Sequence, residues 1–147
     1  GKIPARAART TAVVILVDAG PLVALLHEDA RNHATCLATF RSLREPLGTA
    51  WPVVTEAMHL LGFSWEAQES LWEMLDGGHL RLLALDAHDV PRMRALMQKY
   101  RDLPMDVADA ALVRLAERES IRRIFTVDRR DFSVYRPARI GRFSVIP

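Results

Sequence analysis

The chain has 147 residues, of which half are apolar and 26% are charged, as is typical of one globular domain with its own core. It contains no run of 18 apolar residues, which excludes an ordinary membrane-spanning helix. The net charge is only +2, yet 18 of the 20 basic residues are arginines, whose planar guanidinium groups suit phosphate. A GC-rich genome would produce the same excess of arginine.

The first 11 residues precede the first apolar run and carry Lys2, Arg6 and Arg9. That apolar run ends at Asp18, too early for a secretory signal peptide. We interpret residues 1–11 as a flexible leader or an expression remnant, and residues 12–147 as a single domain. The single cysteine, Cys36, excludes an internal disulfide and a cysteine-rich zinc site, and it favours a reducing, cytoplasmic location. We expect Cys36 to pack as a small hydrophobic residue.

The first predicted strand is the continuous apolar run at residues 13–17, a pattern typical of a strand buried on both faces of a parallel sheet. Gly20 and Pro21 open a helix. A second helix is predicted over residues 32–43, with Ala34, Leu37, Ala38 and Phe40 as candidate core contacts.

The rest of the chain continues the alternation of helices and strands. In order, the pattern predicts a short strand or turn at 46–49, helices from Pro52 to Gly62 and over 65–75, a strand over 80–85, a helix from its cap Asp86 to about Tyr100, a helix beginning at Pro104, and strands over 124–127 and 143–146. This alternation predicts an α/β fold with a parallel sheet wrapped by helices. We expect the three tryptophans, Trp51, Trp65 and Trp72, in the core or at a dimer contact.

Five carboxylates stand at the ends of apolar runs or on apolar helices: Asp18, Glu56, Asp106, Asp109 and Asp128. Asp18 and Asp128 each follow a predicted strand, and ligands of open α/β sheets bind beyond the carboxyl ends of the strands. Asp106 and Asp109 project from one side of a helix. Converging carboxylates repel by about 4 kcal/mol per pair at 4 Å and an effective dielectric of 20. A divalent cation relieves this repulsion, and an all-oxygen ligand set favours Mg²⁺ or Mn²⁺.

Each carboxylate also has a purely structural interpretation. Asp18 ends a strand and is able to cap the following helix, and Asp128 fits a plain polar turn. Asp106 is a plausible helix N-cap, with Asp109 three residues on as in a capping box. Glu56 is a favourable charge near a helix start or a solvated surface acid. Their joint placement, more than any single residue, favours a metal site.

Together, these residues match the pattern of a known family. The chain resembles the PIN-domain family, in particular the VapC-type ribonuclease toxins of bacterial toxin–antitoxin pairs. The resemblance covers about Val13 to Ile146, and it rests on four segments in order, at residues 17–25, 54–57, 105–113 and 126–132. It implies a three-layer α/β/α sandwich with a mainly parallel sheet, so that residues 12–147 form a single PIN-like domain.

The resemblance also implies roles for individual residues. By matching position, Asp18, Glu56, Asp109 and Asp128 resemble the family's catalytic metal-binding acids, and Asp106 matches an extra acid of a subgroup. An acidic cleft of this kind implies Mg²⁺ or Mn²⁺ as cofactor and RNA as substrate, single-stranded or structured. Arg129 and Arg130 are candidates to hold the RNA backbone. A cognate antitoxin protein and a homodimer are further implied partners.

The leading hypothesis is therefore a metal-dependent endoribonuclease that acts as the toxin of a type II toxin–antitoxin pair. One alternative is a catalytically silent PIN-like module for RNA binding or interaction, against which the intact acid set argues. The other is a metal-dependent phosphatase on a related sheet. Its usual DxDx[TV] motif is absent, because Asp18 is followed by Ala19 and Gly20.

Overall fold

A computed structural model describes residues 13–147, so the interpretation of residues 1–11 as a leader lies outside the described part of the chain. The strands are β1 (Ile15–Val17), β2 (Leu47–Thr49), β3 (Leu80–Leu82), β4 (Arg123–Phe125) and β5 (Ser144–Ile146). The helices are α1 (Ala19–Leu26), α2 (His33–Ser42), α3 (Trp51–Leu60), α4 (Trp65–Asp76), α5 (Val90–Lys99), α6 (Val107–Glu119) and α7 (Arg129–Val134), with a 3₁₀ turn at Ala87–Asp89. The longest, α6, has 13 residues, so no described helix reaches the length of a membrane crossing.

The five strands form one sheet in the order β3-β2-β1-β4-β5, with every neighbouring pair parallel. The predicted three-layer α/β/α architecture is confirmed. The chain moves outward from β1 to β3 and then returns to β4 on the other side of β1. The direction of winding therefore changes between β1 and β4, which is where open α/β sheets bind their ligands.

Burial explains why the apolar pattern of the sequence is most continuous in the central strand of the sheet. All three residues of β1 are fully buried, and Leu112 and Leu115 of α6 are buried as well. A central strand covered by helices on both faces must be apolar at every position rather than at alternate ones. The prediction that Cys36 packs as a small hydrophobic residue is confirmed, since its side chain is fully buried.

The predicted boundaries need several corrections. The first strand starts at Ile15 rather than residue 13, because Val13 is 51% exposed, and the third strand ends at Leu82 rather than residue 85. The acidic helix begins at Val107 instead of Pro104, because Asp106 caps it. Helix α7 was not predicted at all.

Several predicted core contacts are also wrong. Ala34 and Ala38 of α2 are exposed, while Phe40 is buried. The core placement of the tryptophans is wrong too, since Trp51, Trp65 and Trp72 are 53%, 65% and 43% exposed. The alternative that they form a dimer contact stays a prediction.

A buried ion-pair cluster ties the start of α5 to the end of α6. The Asp89 carboxylate is buried and accepts hydrogen bonds from Arg114 Nε at 2.7 Å and from Arg118 at 2.9 Å. Glu117, also buried, accepts two hydrogen bonds from Arg92 at 2.7 and 2.8 Å. Despite burial, hydrogen bonds and the arginine charges hold the pKa of both carboxyl groups below their usual range. These acids therefore stabilise the fold in their charged form.

We predict that Asp89→Ala destabilises the protein by about 3–5 kcal/mol, because it leaves the arginine charges without their buried partner. Since the folded-state pKa is lowered, the loss relative to wild type is complete above the ordinary carboxyl pKa and shrinks as the pH falls through the folded-state value. Urea unfolding at pH 7 and pH 3 measures this. Asp102→Ala, at an exposed position, is the control, and an equal effect of both variants contradicts the prediction.

Candidate active site

Asp18 is the most constrained of the predicted acids. It lies directly after β1 and caps α1, where Oδ1 accepts the Ala19 N–H at 2.8 Å. Its own N–H donates to the Phe125 carbonyl at 3.0 Å, which continues the pairing of β1 with β4. The residue is only 9% exposed, and burial raises the pKa of its carboxyl group; the nearby charges of Asp106 and Asp128 raise it further. The predicted helix-capping role and the predicted place at the sheet edge are both present.

Thr126 connects the ends of β1 and β4. Its buried hydroxyl donates to Asp18 Oδ2 at 2.9 Å and accepts the Asp128 N–H at 3.0 Å. A hydroxyl provides one donor and two acceptor positions, so both bonds form at once. The sequence analysis gave Thr126 no role. The available signal was a hydrogen-bonding residue at the end of an apolar strand, two positions before Asp128.

Asp106 and Asp109 occupy the first turn of α6. Asp106 Oδ1 accepts the Asp109 N–H at 2.8 Å, so the alternative interpretation of Asp106 as an N-cap is confirmed, and its side chain is exposed. Asp109 is half-buried and accepts the Tyr135 hydroxyl at 2.7 Å. Burial, followed by the charges of Asp106, Asp18 and Asp128, raises the pKa of Asp109 to about 7, although the Tyr135 hydrogen bond acts in the opposite direction. Asp109 is thus close enough to three other acids for their charges to raise its pKa.

Asp128 begins a helix rather than a plain turn. Its Oδ1 accepts the Asp131 N–H at 3.1 Å as the N-cap of α7. Burial and the Asp128 carboxylate raise the pKa of Asp131, while the Arg130 guanidinium lowers it. Arg129 and Arg130 are exposed on the first turn of α7, beside this group of acids.

Glu56 approaches the same group from α3. Its side chain is exposed, yet partial burial raises the pKa of its carboxyl group, and the charges of Asp18 and Asp106 add to the shift. Helix α3 packs against α1, which Asp18 caps, and against α6, which carries Asp109. All five predicted acids therefore lie in one electrostatic environment near the carboxyl end of β1. We call these five residues the acidic pocket: Asp18, Glu56, Asp106, Asp109 and Asp128.

The acidic pocket fits a hard divalent cation by the chemistry of its donors. Its side chains offer carboxylate oxygens, and their mutual repulsion is the cost that a cation would remove. Within residues 13–147, no three acidic, histidine or cysteine side chains are already arranged to hold one ion. Mg²⁺ does not require such a cage, because it keeps several waters and binds through one or two carboxylates plus substrate oxygens.

Comparison with known proteins identifies the family and the fold. A family model described as PIN domain matches residues 15–136. Ribonuclease VapC26 from Mycobacterium tuberculosis is 33% identical over 135 residues, which are 90% of this chain and 100% of that protein.

Three solved structures share the fold at low sequence identity. VapC20 from Mycobacterium tuberculosis, a sarcin–ricin loop cleaving toxin, superposes with a TM-score of 0.69 at 16% identity, over 75% of this chain and 86% of that one. VapBC2 from Rickettsia felis bound to a promoter DNA fragment gives 0.63 at 12%, over 92% and 100%. A toxin–antitoxin complex from Klebsiella pneumoniae gives 0.59 at 15%, over 90% and 96%.

The raised pKa of Asp109 predicts an unusual pH dependence of stability. Between the ordinary carboxyl pKa of about 4 and the folded-state value of about 7, the folded protein keeps a proton that the unfolded chain has released. The contribution of Asp109 to the stability of the metal-free protein therefore falls as the pH rises through this window. Asp109→Asn removes the effect, so we expect it to raise the melting temperature by several degrees at pH 8 and by less at pH 5.

Thermal unfolding in EDTA at both pH values measures this difference. Asp102→Asn, which neutralises an exposed acid, serves as the matched control. An Asp109→Asn variant that melts below wild type at pH 8 would show that Asp109 is not under electrostatic strain.

Proposed function

The chain belongs to the PIN-domain family and to its VapC-type ribonuclease toxins, and from this premise we propose that it is a divalent-metal-dependent endoribonuclease acting as the toxin of a toxin–antitoxin pair. The observation that carries the metal dependence is the acidic pocket, where burial and neighbouring carboxylates raise the pKa of the buried Asp18 and of the half-buried Asp109. Such mutual repulsion is retained where a bound cation or a reaction makes use of it.

The acids would share the work of holding the ion. We assign metal binding to Asp18, Glu56, Asp109 and Asp128, with Asp106 at the rim of the pocket. A bound Mg²⁺ or Mn²⁺ supplies Lewis-acid activation of water and neutralises charge that develops on the scissile phosphate. Since the pKa of Asp109 is raised to about 7, an ion that bound this carboxylate below that pH would displace its proton.

The attacking water must also lose a proton to a base. A carboxylate whose pKa lies above the ordinary value is a better base near neutral pH. Glu56 meets this condition, since its pKa is raised and its side chain is exposed to the solvent from which water and substrate arrive. We assign Glu56 the role of proton acceptor, with its contact to the ion made through water.

Arg129 and Arg130 would position the RNA. They are exposed on the first turn of α7 and directly follow Asp128, a proposed metal ligand, in the chain. Arginine forms bidentate hydrogen bonds with phosphate, and such contacts fix the register of the nucleic acid without reading its bases. They also offset the repulsion between RNA and the acids.

The proposed partners are a cognate antitoxin and a second copy of the chain. The Rickettsia felis and Klebsiella pneumoniae relatives are toxin–antitoxin assemblies, which supports an antitoxin for this chain. The exposed pair Trp51 and Trp72, whose rings meet edge to face at 6.4 Å, supports a protein contact on this side of the molecule.

The first test is RNA cleavage by the purified protein with Mg²⁺, Mn²⁺ or EDTA. We expect cleavage with either ion, none in EDTA, and a loss of at least about 100-fold in kcat for Asp18→Asn and Asp109→Asn, because each variant removes a proposed ligand. Asp102→Asn should cleave as wild type does. Cleavage that persists in EDTA and in both pocket variants refutes metal dependence, whereas RNA binding without turnover supports the silent RNA-binding module.

A second test addresses the two arginines. We expect Arg129→Ala and Arg130→Ala to weaken RNA binding across all sequences and to reduce the slope of log K against log salt by about 0.7 for each phosphate contact to a single strand. Filter binding over a range of KCl concentrations measures the slope. Arg142→Ala, exposed near the amino end of β5 and so at the opposite edge of the sheet, is the control. Equal effects at all three positions would mean that RNA is held by overall charge.

A further inference from the structure

Tyr135, which the sequence analysis did not single out, contacts the acidic pocket through Asp109. It follows α7 directly, and its side chain is fully buried. Its hydroxyl donates to Asp109 Oδ2 at 2.7 Å, the usual length of an O–H···O hydrogen bond.

The ring of Tyr135 has no freedom to move away from Asp109. It packs edge to face against Tyr100 at 5.0 Å and against Phe132 at 5.2 Å, and Phe132 packs in turn against Phe143 at 5.5 Å. Edge-to-face packing in a buried cluster fixes the plane of each ring and therefore the position of the phenol oxygen. We call these four residues the aromatic clamp.

The aromatic clamp also bears on a second acid. Phe132 and Tyr135 lie on or directly after α7, whose first turn is capped by Asp128. The same packed unit therefore sets the position of Asp128 through the helix and that of Asp109 through the phenol. One Asp109 oxygen, Oδ2, is taken by the hydroxyl, and this leaves the other oxygen and the remaining lone pair of Oδ2 for a ligand.

We propose that Tyr135 is a positioning residue that holds the Asp109 carboxylate in the orientation required to bind the divalent cation, an inference that rests on the proposed function. Partners that hydrogen-bond a ligating carboxylate orient it, and their removal typically weakens metal affinity or activity by about 10–100-fold. Tyr135 does not touch the substrate or the ion. It acts through Asp109.

The chain offers a matched pair of variants, because it contains two tyrosines and both belong to the aromatic clamp. Tyr135→Phe removes the hydroxyl that meets Asp109. Tyr100→Phe removes a buried hydroxyl from the adjacent ring, one that accepts the Arg136 N–H at 2.8 Å and does not contact the acidic pocket. Both substitutions keep the ring and its packing, so each costs about one hydrogen bond of stability.

The experiment measures Mn²⁺ affinity of the full chain by electron paramagnetic resonance, with RNA cleavage and metal-free melting temperature alongside. We expect Tyr135→Phe to weaken Mn²⁺ binding by about 10–100-fold, with KM for RNA unchanged and cleavage recovering as Mn²⁺ is raised. Tyr100→Phe should bind Mn²⁺ as wild type does. If Tyr135 had a merely structural role, both variants would have lower melting temperatures and lower activities, and added metal would not restore the activity.

Labelled wild-type protein gives a readout that does not depend on a variant folding. With ¹³C at the tyrosine Cζ atoms, addition of Mg²⁺ should shift the Tyr135 resonance and leave that of Tyr100 in place. Equal Mn²⁺ affinity of Tyr135→Phe and wild type, or equal weakening in both variants, overturns the positioning role while leaving the proposed function intact. Wild-type protein that binds no Mn²⁺ overturns both.

Discussion

The arrangement of this molecule depends on keeping a carboxylate buried at the end of its central strand. Asp18 follows a strand without solvent contact, and burial there opposes its ionisation. Two hydrogen bonds compensate, one from the first turn of α1 and one from Thr126 beyond the neighbouring strand β4. The second joins residues 108 positions apart, so the site exists only when β1 and β4 are paired. Formation of the sheet and formation of the site are thus one event.

Stability and function are placed in different parts of the fold. The acidic pocket gathers like charges, which opposes folding in the absence of a cation. The opposite contribution comes from the fully apolar β1 and from the buried ion pairs of Asp89 and Glu117, which tie α5 to α6 away from the pocket. The aromatic clamp joins the buried core to Asp109 through the Tyr135 hydroxyl. The free energy that holds the acidic pocket together therefore comes from packing elsewhere in the fold, and not from the acids themselves.

The sequence predicted the parts of the structure that depend on local pattern. The buried run before Asp18 and the alternation of strands and helices were sufficient for the parallel sheet, and the spacing of the acids was sufficient to bring them to one edge. Helix α7 escaped because six residues are too few to show a helical period, although Asp128 and Asp131 repeat the cap spacing of Asp106 and Asp109. Thr126 and Tyr135 were not predicted because the carboxylates to which their hydroxyls donate, those of Asp18 and Asp109, are distant in the chain.

The central claim is that carboxylates from four separate segments bind a single kind of hard cation. Anomalous diffraction at the manganese edge, from crystals soaked in MnCl₂, tests it most directly. The account predicts a peak bordered by the carboxylates of Asp18 and Asp109, with Glu56 or Asp128 in contact directly or through water. A manganese peak on another face of the protein, or no peak at a concentration that supports RNA cleavage, would contradict it.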